Sequence, residues 1–411
     1  MSVRMKGFSS YTRLEEALDK IVSRVNRVEE EIVSLNESFG RVLSNDVISG
    51  VNVPPFDRAA MDGYAVQASD TFGADENNPI NLHIVGRSDI GTPPDAKVQE
   101  GEAVEIMTGA VMPEGADAVA MIEYTQREDD ELEVLSPVSP GKNVSSKGED
   151  VKVGQTVLEK GHCLRPQDVG MLASIGTTKV GVARKPEVGI TPTGIELREP
   201  GESLEPGEIT ESNSYSLEAA VKDSGGDPSR LEVVPDEFDS LKESIGNASN
   251  FDMLLLSGST SVGKRDLAPD AISELGELIF HGVAIRPGGP TAFGVVDDTP
   301  VFALAGFPVA SLVAFETLAR PAIRYMQGLP ADRGRPKVKA KLERKISSSL
   351  GRADVVRVEI KEVGERLRVS PIRVTGSSIL SSMTRADGYV IVPEDVEGFG
   401  KDAEVRVELL C

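Results

Sequence analysis

FDMLLLSGSTSVGKRD, residues 251–266, decides the fold. Its first half is almost entirely apolar, as a strand covered on both faces must be. Its second half is a loop of glycine and small hydroxyl residues that ends in Lys264, Arg265 and Asp266. Around it, from Pro186 on, apolar strands alternate with amphipathic helices. PEVGITPT and RLEVVPD read as strands, and SYSLEAAVKDSGG and EFDSLKESIGNA as the helices after them. LAPDAISELGE is a third helix, LIFHGVAIRPG, TAFGVV and PVFALAG are strand-like, and VASLVAFETLARPAIRYMQ closes the segment as a helix. This grammar predicts a doubly wound α/β domain over 181–328.

The flanking segments read differently. At the N-terminus, Thr12 and Glu15 have capping-box spacing, and Leu14, Ala17, Leu18, Ile21, Val22 and Val25 recur at helical intervals. Short strands follow (EEIVSL, RVLSNDVIS), then the irregular VNVPPFDRAAMDGYAV. Residues 80–145 carry short apolar runs cut by turns, which predicts a small β-rich module. GHCLRPQDVGMLASIG reads as a turn and a short helix. Beyond Gly328 a polar linker leads into VKAKLERKI, DVVRVEIKEV, RLRVSPIRV, YVIVPED and AEVRVELL, the pattern of a small β-barrel.

Composition narrows the function. The chain has 411 residues and a formal net charge of −22, which disfavours broad binding to nucleic acid or to anionic membranes. Cys163 and Cys411 are its two cysteines, too few for a disulfide framework or a cysteine zinc site, and His83, His162 and His281 lack metal-ligand spacing. No apolar run reaches the ~18 residues of a membrane span, and Met1–Ser10 lacks the apolar core of a signal peptide. The expectation is a cytoplasmic protein.

In open α/β sheets, ligands bind beyond the carboxyl ends of the strands. The segments there are TPTGIELREPG (191–201), the turn at Asp236, SGSTSVGKRD (257–266), RPGGPTAFG (286–294) and AGFPVAS (305–311). In SGSTSVGKRD, Gly258 and Gly263 allow close backbone approach, while Ser257, Ser259, Thr260 and Ser261 offer hydroxyls. Such a loop can cradle an oxyanion, and it can equally be an ordinary turn with solvated serines. AGFPVAS starts a helix with Pro308 in its first turn, leaving N–H groups free for an anion or simply capping the helix. Arg286 adds one guanidinium. Of the 66 acidic residues most solvate the surface, but Asp62, Asp150, Glu196, Asp236 and Asp266 fall in Gly-rich or irregular loops and could hold a hard cation such as magnesium.

PPFDRAAMDGYAV (54–66), IMTGAVMPEGADAV (106–119), GKNVSSKGEDV (141–151), TGIELREPGESLEPGEITESNSY (193–215), SGSTSVGKRD (257–266), VAIRPGGPTAFG (283–294), GRADVVRV (351–358) and GSSILSSMTRADGYVIVPED (376–395) resemble, in sequence and order, the MoeA family of molybdopterin molybdenumtransferases. The resemblance spans nearly the whole chain. It implies an elongated homodimer of four domains: a linking domain from 1–50 and 145–180, a β-rich insert at 51–144, an α/β molybdopterin-binding domain at 181–328 and a β-barrel at 329–411. It implies that adenylylated molybdopterin and molybdate react with Mg²⁺ to give molybdenum cofactor and AMP, the pterin being supplied by a molybdopterin adenylyltransferase. The catalytic acids fall on Asp62, Asp150, Glu196, Asp236 and Asp266, with Asp236 and Asp266 as Mg²⁺ ligands. Substrate binding falls on Thr108, Thr193, Gly194, Ser257, Gly258, Ser259, Ser261, Gly263, Arg286, Pro287, Gly288, Gly306 and Pro308.

The chain departs from the family pattern in specific places. SGGVSVG is SGSTSVG here, TGDE is TGIE with Ile195, PGNP is AGFP with Ala305 and Phe307, and KPGKP is RPGGP with Gly289. Ser145, Ser146 and Lys147 stand where the family has an arginine run. The alternative these changes raise is a paralogue that binds the pterin as a scaffold or takes tungstate; a nucleotide-cleaving hydrolase on the same α/β domain is a third reading.

Overall fold

The computed structural model describes residues 11–260, 266–364, 366–372 and 376–410, with Ser259 and Thr260 described in their backbone only. The chain forms two compact units, Met1–Glu31 with Ala183–Cys411, and Ile32–Val182.

The first unit holds the α/β sheet. Its strands run in the order Asp227–Arg230, Glu187–Pro192, Met253–Thr260, Thr299–Ala305, Ala292–Val296, Glu277–His281. The first four are parallel and the last two join antiparallel. The all-apolar reading of 253–256 has a direct cause. Met253 and Leu255 pack into the core on one face, and Leu254 and Leu256 into the core on the other. The helices Asn213–Asp223 and 308–326 cover the first face through Leu217, Val221, Phe315 and Ile323. Phe238–Gly246 and Leu267–Leu275 cover the second through Leu241, Ile245, Ala271 and Ile272. This is the doubly wound domain that the sequence predicts. Phe280, Phe293 and Phe302 stack in series across the antiparallel edge, with ring centroids 5.5 and 4.7 Å apart.

The closing helix is continuous but widens to a π turn at Phe315–Ala319. Pro321 lies just beyond; it cannot donate a backbone hydrogen bond and crowds the carbonyl four residues back, which a wider turn relieves. Glu316 in that turn is buried and accepts two hydrogen bonds from Arg335 of the linker at 3.2 and 2.7 Å. Ala353–Val363, Arg366–Pro371, Lys337–Leu342, Glu404–Leu409 and Gly388–Val392 then form a closed five-stranded barrel, the last strand pairing back to the first. The barrel meets the α/β domain where Ile285–Arg286 pairs parallel with Ala353–Asp354.

Two local expectations are corrected. Thr12 does not cap the first helix, which runs Leu14–Val22 behind Arg13. Its backbone instead pairs beside Val283, donating to the Gly282 carbonyl at 3.0 Å and accepting from Ala284 at 2.8 Å. The second strand is Asp227–Arg230 rather than the run RLEVVPD, which touches the sheet only through separate bonds such as Val234 N–H to the Pro192 carbonyl. Edge position explains this, since one side of the segment has no partner strand to hold it regular.

The second unit carries a six-stranded sheet ordered Ala118–Met121, Gly63–Val66, Glu102–Ile106, Ile80–Ser88, Glu131–Val134, Thr125–Glu128, with apolar clusters on both faces. A third cluster, including Leu43, Leu164, Leu172 and Val182, packs around the helix Pro166–Ser174. That helix is started by Asp168, which accepts the Arg165 backbone N–H at 2.8 Å, the Arg165 guanidinium at 2.9 and 3.2 Å and a His162 ring nitrogen at 2.7 Å. Among the described residues no helix is long and apolar enough to cross a membrane.

The Arg165 guanidinium holds the buried Asp168 carboxyl well below its usual range, against the opposing effect of burial. A depressed carboxylate contributes stability above its unfolded value, ~3.9, and that stability is lost as pH falls toward the depressed value. Asp168→Asn is therefore expected to cost about 2 kcal/mol at pH 7 and progressively less below pH ~4. Urea denaturation of both proteins across that range checks this, and a cost independent of pH would refute the electrostatic account.

Candidate active site at the strand tips

The carboxyl ends of three neighbouring parallel strands meet backbone to backbone. The Thr193 N–H donates to the Ser257 carbonyl at 2.8 Å, and the Gly194 N–H to the Val234 carbonyl at 3.0 Å. Gly258 has φ +122°, and a Cβ there would lie 2.3 Å from the Thr193 carbonyl oxygen. A Cβ on Gly306 would lie 3.2 Å from the Gly258 Cα. Glycine is thus required sterically where the central strand ends, and the two flanking loops close in on it. Pro308 begins the closing helix next to this junction, and a Cβ on Gly288 would lie 3.1 Å from the Ala310 carbonyl in that helix. Thr193, Gly194, Ser257, Gly258, Gly306 and Pro308 are therefore brought together, with Pro287 and Gly288 packed beside the helix. The side chain of Ser259, and Ser261, Gly263, Lys264 and Arg265, lie outside the described residues.

The carboxylates divide. Asp236 has its pKa raised, first by loss of hydration and then by the like charge of Glu196; the Thr193 hydroxyl opposes the rise, although no hydrogen bond of ordinary geometry joins the two. Asp236 keeps solvent-facing surface, so this desolvation is local to its carboxyl. Among the described residues no three carboxylate, histidine or cysteine side chains gather closely enough to enclose a metal ion, so a hard divalent cation held by Asp236 and Glu196 would need water and ligand oxygens to complete its shell. Asp266 caps the next helix and stands 3.2 Å from His281 Nε2, both side chains being largely buried. Burial lowers the His281 pKa, and Asp266 and Asp270 oppose that.

In the second unit, Asp62 accepts both the backbone N–H and the hydroxyl of Thr108, at 2.7 and 2.8 Å, and these bonds hold its pKa below the usual range. A Cβ on Gly63 would overlap the Ala120 carbonyl oxygen at 2.0 Å, so glycine must follow that aspartate. Asp150 lines an open hollow of about 440 Å³ with Val53, Pro54, Arg58, Ser145 and Glu149.

Arg286 does not stand free. Its guanidinium pairs with Asp354 of the barrel, and Asp354 also accepts the Ser348 hydroxyl at 2.7 Å. Sequence reasoning also missed Asn213, whose amide nitrogen bonds Ser257 and Gly306, and Glu211, which accepts the Ser214 N–H and hydroxyl at 2.8 and 2.5 Å. Polar residues opening a helix in a crevice-side loop, as in TESNSY, are the signal that could have pointed to both.

A putative molybdopterin biosynthesis protein of Methanocaldococcus jannaschii is 41% identical over 404 residues, covering 96% of this chain and 95% of that one. Residues 12–176 match the MoeA N-terminal region (domains I and II), 189–325 a probable molybdopterin binding domain, and 339–410 the MoeA C-terminal region (domain IV). The chain belongs to the MoeA family. A molybdopterin molybdenumtransferase of Haemophilus influenzae is 32% identical and covers 96% of this MoeA chain and 98% of its own. The crystal structure of the molybdopterin biosynthesis MoeA protein from Pyrococcus horikoshii superposes with a TM-score of 0.86 at 39% identity, covering 97% of this chain and all of that one. The family resemblance read from the sequence and the fold class, an α/β domain with β-rich parts and a β-barrel, are borne out. The crevice at 193–194, 257–258 and 306–308 lies within the stretch matched to the probable molybdopterin binding domain.

Because Gly258 abuts a carbonyl with positive φ, Gly258→Ala is expected to destabilise the first unit by at least about 2 kcal/mol. Chemical denaturation followed by circular dichroism measures this; a loss under about 0.5 kcal/mol would show that the strand tips yield easily.

Proposed function

We propose that this MoeA family member inserts molybdenum into molybdopterin as a step of molybdenum cofactor biosynthesis. The observation that carries the reading is the convergence of three glycine-bearing strand tips within the probable molybdopterin binding domain. Relatives named molybdopterin molybdenumtransferase, aligned over nearly the full chain, support it.

The finer reading is that the acceptor is adenylylated molybdopterin, that molybdate is the metal source and that AMP leaves. Backbone N–H groups and hydroxyls at the strand tips would bind the anionic groups. Glu196 and Asp236 would hold Mg²⁺, with Asp266, expected as its other ligand, oriented by His281. When bound, Mg²⁺ would neutralise charge on the phosphate and oxyanion oxygens. Asp266 would fix the water or oxyanion that displaces the adenylate, and Asp62 and Asp150 keep the catalytic roles that the family pattern gives them. Cleavage of a phosphoryl bond depends chiefly on positioning and charge neutralisation, which this residue set can supply without a cysteine or histidine nucleophile. The protein would work as a cytoplasmic homodimer and receive its substrate from an adenylyltransferase.

One observation favours a second reading. Ile195 is 71% exposed and Phe307 58% exposed at loops beside the crevice, where polar residues would serve an oxyanion better. A pterin-binding scaffold would suit such a lining, which does not separate molybdate from tungstate, since both are tetrahedral oxyanions.

Purified protein given adenylylated molybdopterin, Mg²⁺ and molybdate is expected to release AMP, with tungstate run in parallel. Asp266→Asn should slow release roughly a hundredfold while leaving the elution volume unchanged. Tight pterin binding without AMP release would leave the scaffold reading standing. An Asp266→Asn enzyme of undiminished rate would remove that residue from the chemistry.

A further inference from the structure

Asn213 opens the helix Asn213–Asp223 and sits where the two central strand tips meet. Its Nδ2 donates to the Gly306 carbonyl oxygen at 2.7 Å and to Ser257 Oγ at 2.9 Å. A carbonyl oxygen can only accept, so the amide face turned to Gly306 must be the NH₂, and that fixes the orientation of the whole group. Ser257 Oγ therefore receives a proton from Asn213, and its own hydroxyl proton is left to point elsewhere.

Ser257 is 2% exposed, and among the described residues no oxygen is hydrogen-bonded to that proton. It is a donor held at the strand tips beside Gly258, whose missing side chain lets the Thr193 carbonyl close in. By donating to Ser257 Oγ, the Asn213 amide turns the hydroxyl proton away from itself, and the Gly306 carbonyl in turn fixes the amide.

We propose that Asn213 is a positioning residue that orients Ser257 as a hydrogen-bond donor to a tetrahedral oxyanion at the strand tips. The ligand class is a phosphate monoester or a group-6 oxyanion, both of which offer only acceptors to such a donor. The assignment rests on the ligand crevice proposed above, and it names the donor and what sets its direction. Asn213 touches no substrate in this role; it acts through Ser257 and through the carbonyl it holds.

The test is a double-mutant cycle on the full-length protein, with Asn213→Ala, Ser257→Ala and the pair. Calorimetry measures binding of inorganic phosphate and of molybdate in separate titrations, which distinguishes the two sources of oxyanion. Thermal unfolding of each variant runs alongside. Each single substitution is expected to weaken the bound oxyanion about tenfold, and Asn213→Ala in the Ser257→Ala background to weaken it less than about twofold further. Losses that multiply in the double variant would show that the two side chains act independently and would overturn the proposal. Asn213→Ala affinity within twofold of the parent, or a parent that binds neither anion, would overturn the proposal outright. A parent that binds oxyanion with the expected coupling but releases no AMP would refute molybdenum insertion and leave the role of Asn213 intact.

Discussion

The contact on which the crevice depends is between Gly258 and the carbonyl of Thr193. A methyl group at Gly258 would lie 2.3 Å from that oxygen, so the central strand and its neighbour close to a distance only glycine permits. Gly306 then closes on Gly258 from the other side. These approaches set where the three loops end, and so where backbone N–H groups, the Ser257 hydroxyl and the start of the closing helix can face a common ligand. The apolar faces of Met253–Leu256 hold the strands in register from below. Packing thus fixes the sheet, and the glycine contacts draw the loops together at its carboxyl end.

The barrel is fastened to this domain by charge. Arg286 pairs with the buried Asp354, and Glu316 in the π turn accepts two hydrogen bonds from Arg335, while Arg320 and Arg335 reach Asp223. Removing one member of such a buried pair leaves an uncompensated charge and costs more than the pair itself contributes. The arrangement is accordingly intolerant of single changes. It also places Arg286 at the joint between barrel and sheet, so that a guanidinium expected for substrate binding holds the two domains together.

What the sequence disclosed follows the range of the interactions involved. Strands buried on both faces announce themselves locally, which is why 253–256 and the doubly wound order around it are legible. The strand at 227–230 is not, because an edge strand lacks the second packed face that writes an apolar pattern. Thr12 has the residues of a cap, yet a backbone pairing with 282–284 claims it first. Asn213 reaches partners 44 and 93 residues away, and Arg286 and Asp354 are 68 apart. No local pattern encodes those pairs; only the folded sheet brings them into contact. Of the acidic residues, the sequence singles out those in loops, but the approach of Asp266 to His281 belongs to tertiary structure.

These pairings alter how an anion can be held by a chain of net charge −22. With Arg286 engaged by Asp354, the described residues at the strand tips offer an anion dipoles, namely the start of the closing helix and the hydroxyl of Ser257, while Lys264 and Arg265 lie outside the described residues. Fixed dipoles have a property that mobile lysines lack. They need no reorganisation as charge builds, and in a partly dehydrated crevice they act at low effective dielectric. A site of this kind distinguishes oxyanions by the direction and spacing of their acceptors more than by total charge. Its selectivity would then reside in the geometry that Gly258 permits and Asn213 holds.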